Sequence, residues 1–83
     1  MAHSDRAALA NRDQLIELGL NIAFYRRRQS LTQEQLAERV NVSRSFIGEI
    51  EAPNLAKAMS LEVLFNIARA LEITPSKLLE IRD

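Results

Sequence analysis

The side chains best suited to chemistry in this 83-residue chain stand close together, at Arg44, Ser45, Gly48 and Glu49. Ile47 and Ile50 mark the inward face of a short helix over 44–51, so these four face outward, with Arg44 and Gly48 one turn apart and Ser45 and Glu49 likewise. The chemistry they offer is recognition rather than catalysis. The planar fork of Arg44 matches the O6 and N7 acceptors of guanine, a contact worth about 1–3 kcal/mol of discrimination between bases. Ser45 can donate or accept at a base or a phosphate. Glu49 can accept from a cytosine amino group, or repel phosphates at wrong sites. Gly48 costs about 1 kcal/mol against alanine inside a helix. On an outward face it gains no packing, and close approach by another surface explains it. Phe46 is partly outward, either a half-buried filler or an apolar contact for a thymine methyl. The competing explanation is plain solvation of polar side chains for Arg44 and Ser45, and drift at a tolerant position for Gly48.

Such a reading face needs a frame, and the preceding residues supply one. Thr32 with Gln35 forms a capping box that starts a helix over 33–40, whose Leu36, Ala37 and Val40 share one side. Asn41 follows, a residue that tolerates positive φ, then Val42 to plug the turn and Ser43 to cap the next helix. The result is two short helices in a tight turn, the second free to enter a major groove. A first helix is expected over 13–29, with Leu15, Leu18, Ile22 and Tyr25 on one side and Arg26, Arg27 and Arg28 in its last turn, where cations offset the helix dipole. Pro53 ends the third helix, and 52–59 is a loop. A fourth helix after Ser60 is expected to bury Leu61, Leu64, Ile67, Ala68 and Leu71. A fifth follows Thr74 and Pro75 and ends near Ile81. Residues 1–12 form a polar lead-in able to extend the first helix but without a core role, and 13–83 form one domain. No segment reads as a strand, so the expected class is all-α with five helices.

Composition bounds the rest. With 47% hydrophobic residues the chain is globular, and at this length it holds one small core. There is no cysteine, and the one histidine, His3, sits in the polar lead-in, so neither a disulfide nor a metal site is expected. The same scarcity, with no paired acids and no glycine-rich loop, argues against an enzyme, a cofactor or a small-molecule ligand. No apolar run reaches the length of a membrane span, and the expected location is cytoplasmic. Net charge is zero, which taken alone disfavours nucleic acid. The distribution favours it: residues 21–48 carry five arginines against two glutamates, whereas 49–83 carry six acids against four bases.

Taken in order, Leu18-Gly19, Ile22, Arg26, Leu31-Thr32-Gln33, Leu36-Ala37, Val42-Ser43, Ile47, Ile50-Glu51, Leu61, Leu64, Ile67-Ala68, Leu71 and Leu78-Leu79 resemble the signature of the lambda-repressor and Cro-like (XRE-type) helix-turn-helix family, across roughly residues 14–81. The resemblance implies a five-helix lambda-repressor-like domain, a homodimer on a palindromic double-stranded operator, and a transcriptional regulator in the manner of restriction-modification controllers. It also implies that Arg26 pairs with Glu51 as a structural tie, and that Gln33 braces the recognition helix. Gln33 also opens a helix whose free amides suit a phosphate, with Arg28, Ser30 and Ser43 as further phosphate candidates. The loop from Ala52 to Met59 is longer and more apolar than the family's usual one, leaving Asn54 and Lys57 as its phosphate candidates. Phe65, Ile73, Leu78 and Ile81 exceed what one tiny core needs and are expected to form the dimer interface. A second expectation, a helix-turn-helix fold serving as a protein-interaction module (antitoxin-like or bridging) with little direct DNA reading, rests on the zero net charge and the unusual loop.

Overall fold

A computed structural model describes the backbone of residues 2–81 and the side chains of residues 9–81; His3 lies outside the described side chains. Five helices follow one another, α1 (Ala2–Arg28), α2 (Gln33–Val40), α3 (Arg44–Glu51), α4 (Leu61–Ala70) and α5 (Pro75–Leu79), and no strand occurs among the described residues. The lead-in continues α1 upstream to Ala2, and Leu9 to Gln14 are all exposed.

Three helices end in the same way, and none uses glycine. Ser30, Asn41 and Glu72 adopt left-handed φ values of 58°, 62° and 60° after α1, α2 and α4. The next residue then donates back to a carbonyl five positions earlier: Leu31 to Arg26 at 3.1 Å, Val42 to Ala37 at 3.0 Å and Ile73 to Ala68 at 3.0 Å. These are Schellman ends, in which the apolar residue after the left-handed one folds onto its own helix. Leu31 is buried, and Val42 and Ile73 pack against the core. The sequence announced only Asn41, because serine and glutamate carry a cost of about 1–2 kcal/mol in this conformation.

The core gathers Leu18 and Ile22 from α1, Leu36, Ala37 and Val40 from α2, Ile47 and Ile50 from α3, Leu64, Ile67 and Ala68 from α4, then Leu71 and Leu78. Leu61 does not join it. Expected inside, it is 67% exposed, because it occupies the first position of α4, beyond the neighbours that cover the stripe starting at Leu64. Leu78 errs in the opposite sense. Expected at an interface, it is fully buried, since α5 packs on α1 and Leu78 is the residue α5 contributes to the core. Buried Asn21 of α1 fixes that docking, its amide donating to the carbonyls of Leu78 at 2.9 Å and Glu80 at 2.6 Å. These are carbonyls that a helix end leaves without partners.

Candidate nucleic-acid interface

Both α2 and α3 start as their residue types require. Thr32 accepts from the Gln35 amide at 3.0 Å, while the Gln35 side chain accepts from the Thr32 amide at 2.8 Å, closing the capping box. Ser43 accepts from the Phe46 amide at 3.0 Å and starts α3. From there Ile47 and Ile50 enter the core, leaving Arg44, Ser45 and Glu49 exposed and Gly48 half-exposed.

The inward side of α3 is held at its far end by a charged cluster. Arg26 Nε donates to Glu51 Oε2 at 2.7 Å and Nη2 donates to Oε1 at 2.9 Å, a bidentate pair with both residues 7% exposed. The remaining guanidinium nitrogen, Nη1, donates to the Leu31 carbonyl at 2.7 Å. Gln33 Nε2 adds a third bond to the carboxylate, 3.0 Å from Oε1. One carboxylate therefore joins the end of α1, the start of α2 and the end of α3. An acid at a helix C-terminus opposes the dipole. Here the buried arginine offsets that, and no buried side-chain nitrogen or oxygen among the described residues lacks a partner.

Gly19 completes the clamp. A Cβ on Gly19 would stand 1.8 Å from the Ile50 carbonyl oxygen, so α1 and α3 touch backbone to backbone. No side chain fits there without forcing the helices apart. The family signature contains this glycine, but its role became visible only in the packing; its one warning in the sequence was the energetic cost of glycine inside a helix. Asn21 had no such warning, since an asparagine at mid-helix reads as an exposed position.

The outward side gathers most of the expected readers. Gln33, Arg44, Ser45, Gly48 and Glu49 line one shallow recess, together with Leu55 from the following loop. Arg44 extends along the helix over Gly48, its Nη1 being 3.9 Å from where a Cβ on that glycine would sit. That is ordinary contact, so nothing within the chain requires glycine at 48.

The phosphate candidates divide. Gln33 lies at the recess, but its amide is committed to Glu51, so the structure supports the bracing role rather than a side-chain phosphate contact. Ser43 spends its oxygen on the helix cap. Lys57 pairs with Glu49 at 3.3 Å and lies 5.8 Å from the Phe46 ring centroid. It therefore meets α3 through an exposed ion pair that a phosphate would have to displace. Phe46 itself packs against the core, which favours filler over a base contact. Arg28 is not in the recess: its guanidinium lies 5.6 Å from the Phe24 ring centroid on its own helix, beside Tyr25, Gln29 and Lys77. Ser30 and Asn54 are both exposed, the first at the left-handed end of α1 and the second in a turn. Among the described residues no cluster of histidine, aspartate or glutamate could hold a metal ion, and no helix is long and apolar enough to cross a membrane.

Comparison with known proteins accords with this geometry. A helix-turn-helix sequence profile matches residues 22–78. The chain is similar to the solved structure of the restriction-modification controller protein C.AhdI from Aeromonas hydrophila, at 31% identity and TM-score 0.71, over 77% of this chain and 94% of that one. It is similar to the clp gene regulator ClgR from Corynebacterium glutamicum, at 28% identity and TM-score 0.72, over 83% of this chain and 68% of that one. The master regulator for biofilm formation SinR, solved in complex with DNA, shares 28% identity at TM-score 0.70, over 76% of this chain and 98% of that one. A search of curated protein sequences returned no significant match.

Proposed function

Because the chain belongs to the helix-turn-helix family of DNA-binding, non-enzymatic transcriptional regulators, we propose that α3 is its recognition helix and that two copies bind a roughly palindromic operator in cytoplasmic DNA. The observation that carries this reading is the division of α3 into two faces. One face is clamped by Gly19, the Arg26–Glu51 pair and the core; the other presents Arg44, Ser45, Gly48 and Glu49, with no helix among the described residues closing over them. A recognition helix must be rigidly held yet open, so that its first turns meet base edges. In this reading Arg44 forks onto a guanine, Ser45 meets a base or phosphate, and Gly48 lets the backbone approach the groove. Glu49 stays paired with Lys57 until a cytosine amino group replaces it. Ser30, Asn54 and the amides opening α2 are left for the phosphates, with Ser43 able to add only its hydroxyl proton beyond the cap and Arg28 reaching them only if it leaves the Phe24 ring.

A single head reads only a few base pairs, and the surplus apolar surface supplies a means of pairing. Leu61 and Phe65 stand one turn apart on α4 and are 67% and 46% exposed, while Leu79 at the end of α5 and Ile81 just after it are 60% and 69% exposed. Of the interface residues expected from sequence, Phe65 and Ile81 are exposed and so remain available for that role. Leu78 leaves it and Ile73 is half used by the core, whereas Leu61 enters. Two heads on one face of a duplex sit about 34 Å apart, so half-site centres should lie about one helical turn from each other.

Selecting bound sequences from a random double-stranded pool tests the reading. A motif with two inverted half-sites at that spacing is expected, with affinity falling steeply as salt rises. Phe65→Asp should give a folded monomer by sedimentation that binds the selected site much more weakly. A parent protein that stays monomeric at micromolar concentration and still binds tightly would overturn the dimer.

A further inference from the structure

The loop between α3 and α4 contributes an unexpected residue to the reading face. Ala52-Pro53-Asn54-Leu55 is a β-turn closed by the Leu55 amide donating to the Ala52 carbonyl at 3.1 Å, with Pro53 at the position where its fixed φ suits such a turn. The turn reverses the chain and returns Leu55 to the outward side of α3, where it lines the recess with Arg44, Ser45, Gly48 and Glu49. Two residues further on, Lys57 bonds Glu49 and lies over Phe46, fastening the loop to the helix it follows. Leu55 remains 44% exposed. A lone exposed leucine needs no explanation, but this one is held by a turn and an ion pair among four polar or backbone-exposing groups. Among the described residues it is the only large apolar side chain lining that recess. Phe46, the other apolar candidate on α3, is occupied by the core and by Lys57.

We propose that Leu55 is a specificity-determining residue, packing against the C5 methyl of a thymine beside the base read by Arg44. The major groove offers one apolar recognition element, the thymine methyl, and hydrogen-bonding side chains cannot use it. Gly48, which brings no side chain, lines the same recess as Leu55. The proposal rests on the placement of α3 in the major groove, and its test separates the two.

From the sequence selected by the parent protein, the thymine next to the Arg44-dependent guanine is replaced by uracil, which removes only the methyl. Binding of the parent, Leu55→Ala and Arg44→Ala is then compared on the two DNAs. Burial of one methyl corresponds to about a fourfold change in affinity, so the parent should prefer thymine by about that factor. Leu55→Ala should bind thymine and uracil equally while keeping its guanine preference and its melting temperature. If Leu55→Ala retains the parent's thymine preference, or the parent has none, Leu55 is not a reader although α3 is. If Arg44→Ala leaves the guanine preference intact, the placement of α3 fails and the role of Leu55 fails with it.

Discussion

The chain has only two glycines, and they lie against opposite faces of the same helix. Gly19 presses its α carbon against the backbone of α3, where a methyl would meet the Ile50 carbonyl oxygen at 1.8 Å. Gly48 belongs to α3 itself, where a methyl would find its nearest neighbours at 3.7 and 3.9 Å. The first glycine is demanded by the fold. The second is not demanded by the fold, and in our reading it serves the approach of a surface outside the chain rather than being a tolerated substitution. The two faces of α3 thus differ in what the fold asks of them: internal packing demands glycine on one side and leaves the other side, which we propose meets DNA, unconstrained.

The largest break in that comparison is Gly19→Ala. The clash is with main chain, which cannot rotate aside, so α1 and α3 must separate and the Arg26–Glu51 pair must stretch with them. Overpacking of this kind reaches the top of the range for single substitutions, about 4–5 kcal/mol or more, and a thermal melt should show most of the stability lost. Arg26→Ala should come next. It strands a buried carboxylate that now has three hydrogen bonds, two of them from the arginine. Removing one partner of such a pair costs about 3–5 kcal/mol. Arg27→Ala, at an exposed neighbour on the same turn, should melt close to the parent. Equal melting of these two variants would remove the clamp from the account.

Gly48→Ala is the smallest effect and the sharpest contrast, because its two readouts should move in opposite directions. Alanine fits the space, so the free protein should gain about 0.5–1 kcal/mol in denaturant unfolding. Binding to the selected operator should weaken. A variant that is more stable and binds equally well would mean that Gly48 is tolerated rather than required by the groove.

How much of this was legible in the sequence follows the same division. The helix-turn-helix could be read because local chemistry determines it: a capping box, a left-handed asparagine and a serine cap act within three or four residues. The outward set on α3 follows from the helical period, given that Ile47 and Ile50 face inward. What escaped depends on contacts distant in sequence. Leu61 and Leu78 both continue apolar stripes, and only the reach of neighbouring helices decides that one is bare and the other covered. Asn21 meets α5 across more than fifty residues. Leu55 reaches the reading face through a turn whose direction the proline permits but does not dictate. Lys57 counted as a free cation until the fold placed Glu49 beside it.

The central claim is that the outward face of α3 reads bases, and Arg44 carries the most of it. The direct measurement is selection from a random duplex pool by the parent and by Arg44→Ala side by side, with affinities then determined on the parent's preferred site. Arg44 is exposed, so the variant should fold as the parent does. The account predicts that Arg44→Ala loses its preference at one guanine per half-site, keeps the rest of the motif, and binds the parent's site about 1–3 kcal/mol more weakly. An unchanged motif and unchanged affinity would contradict it.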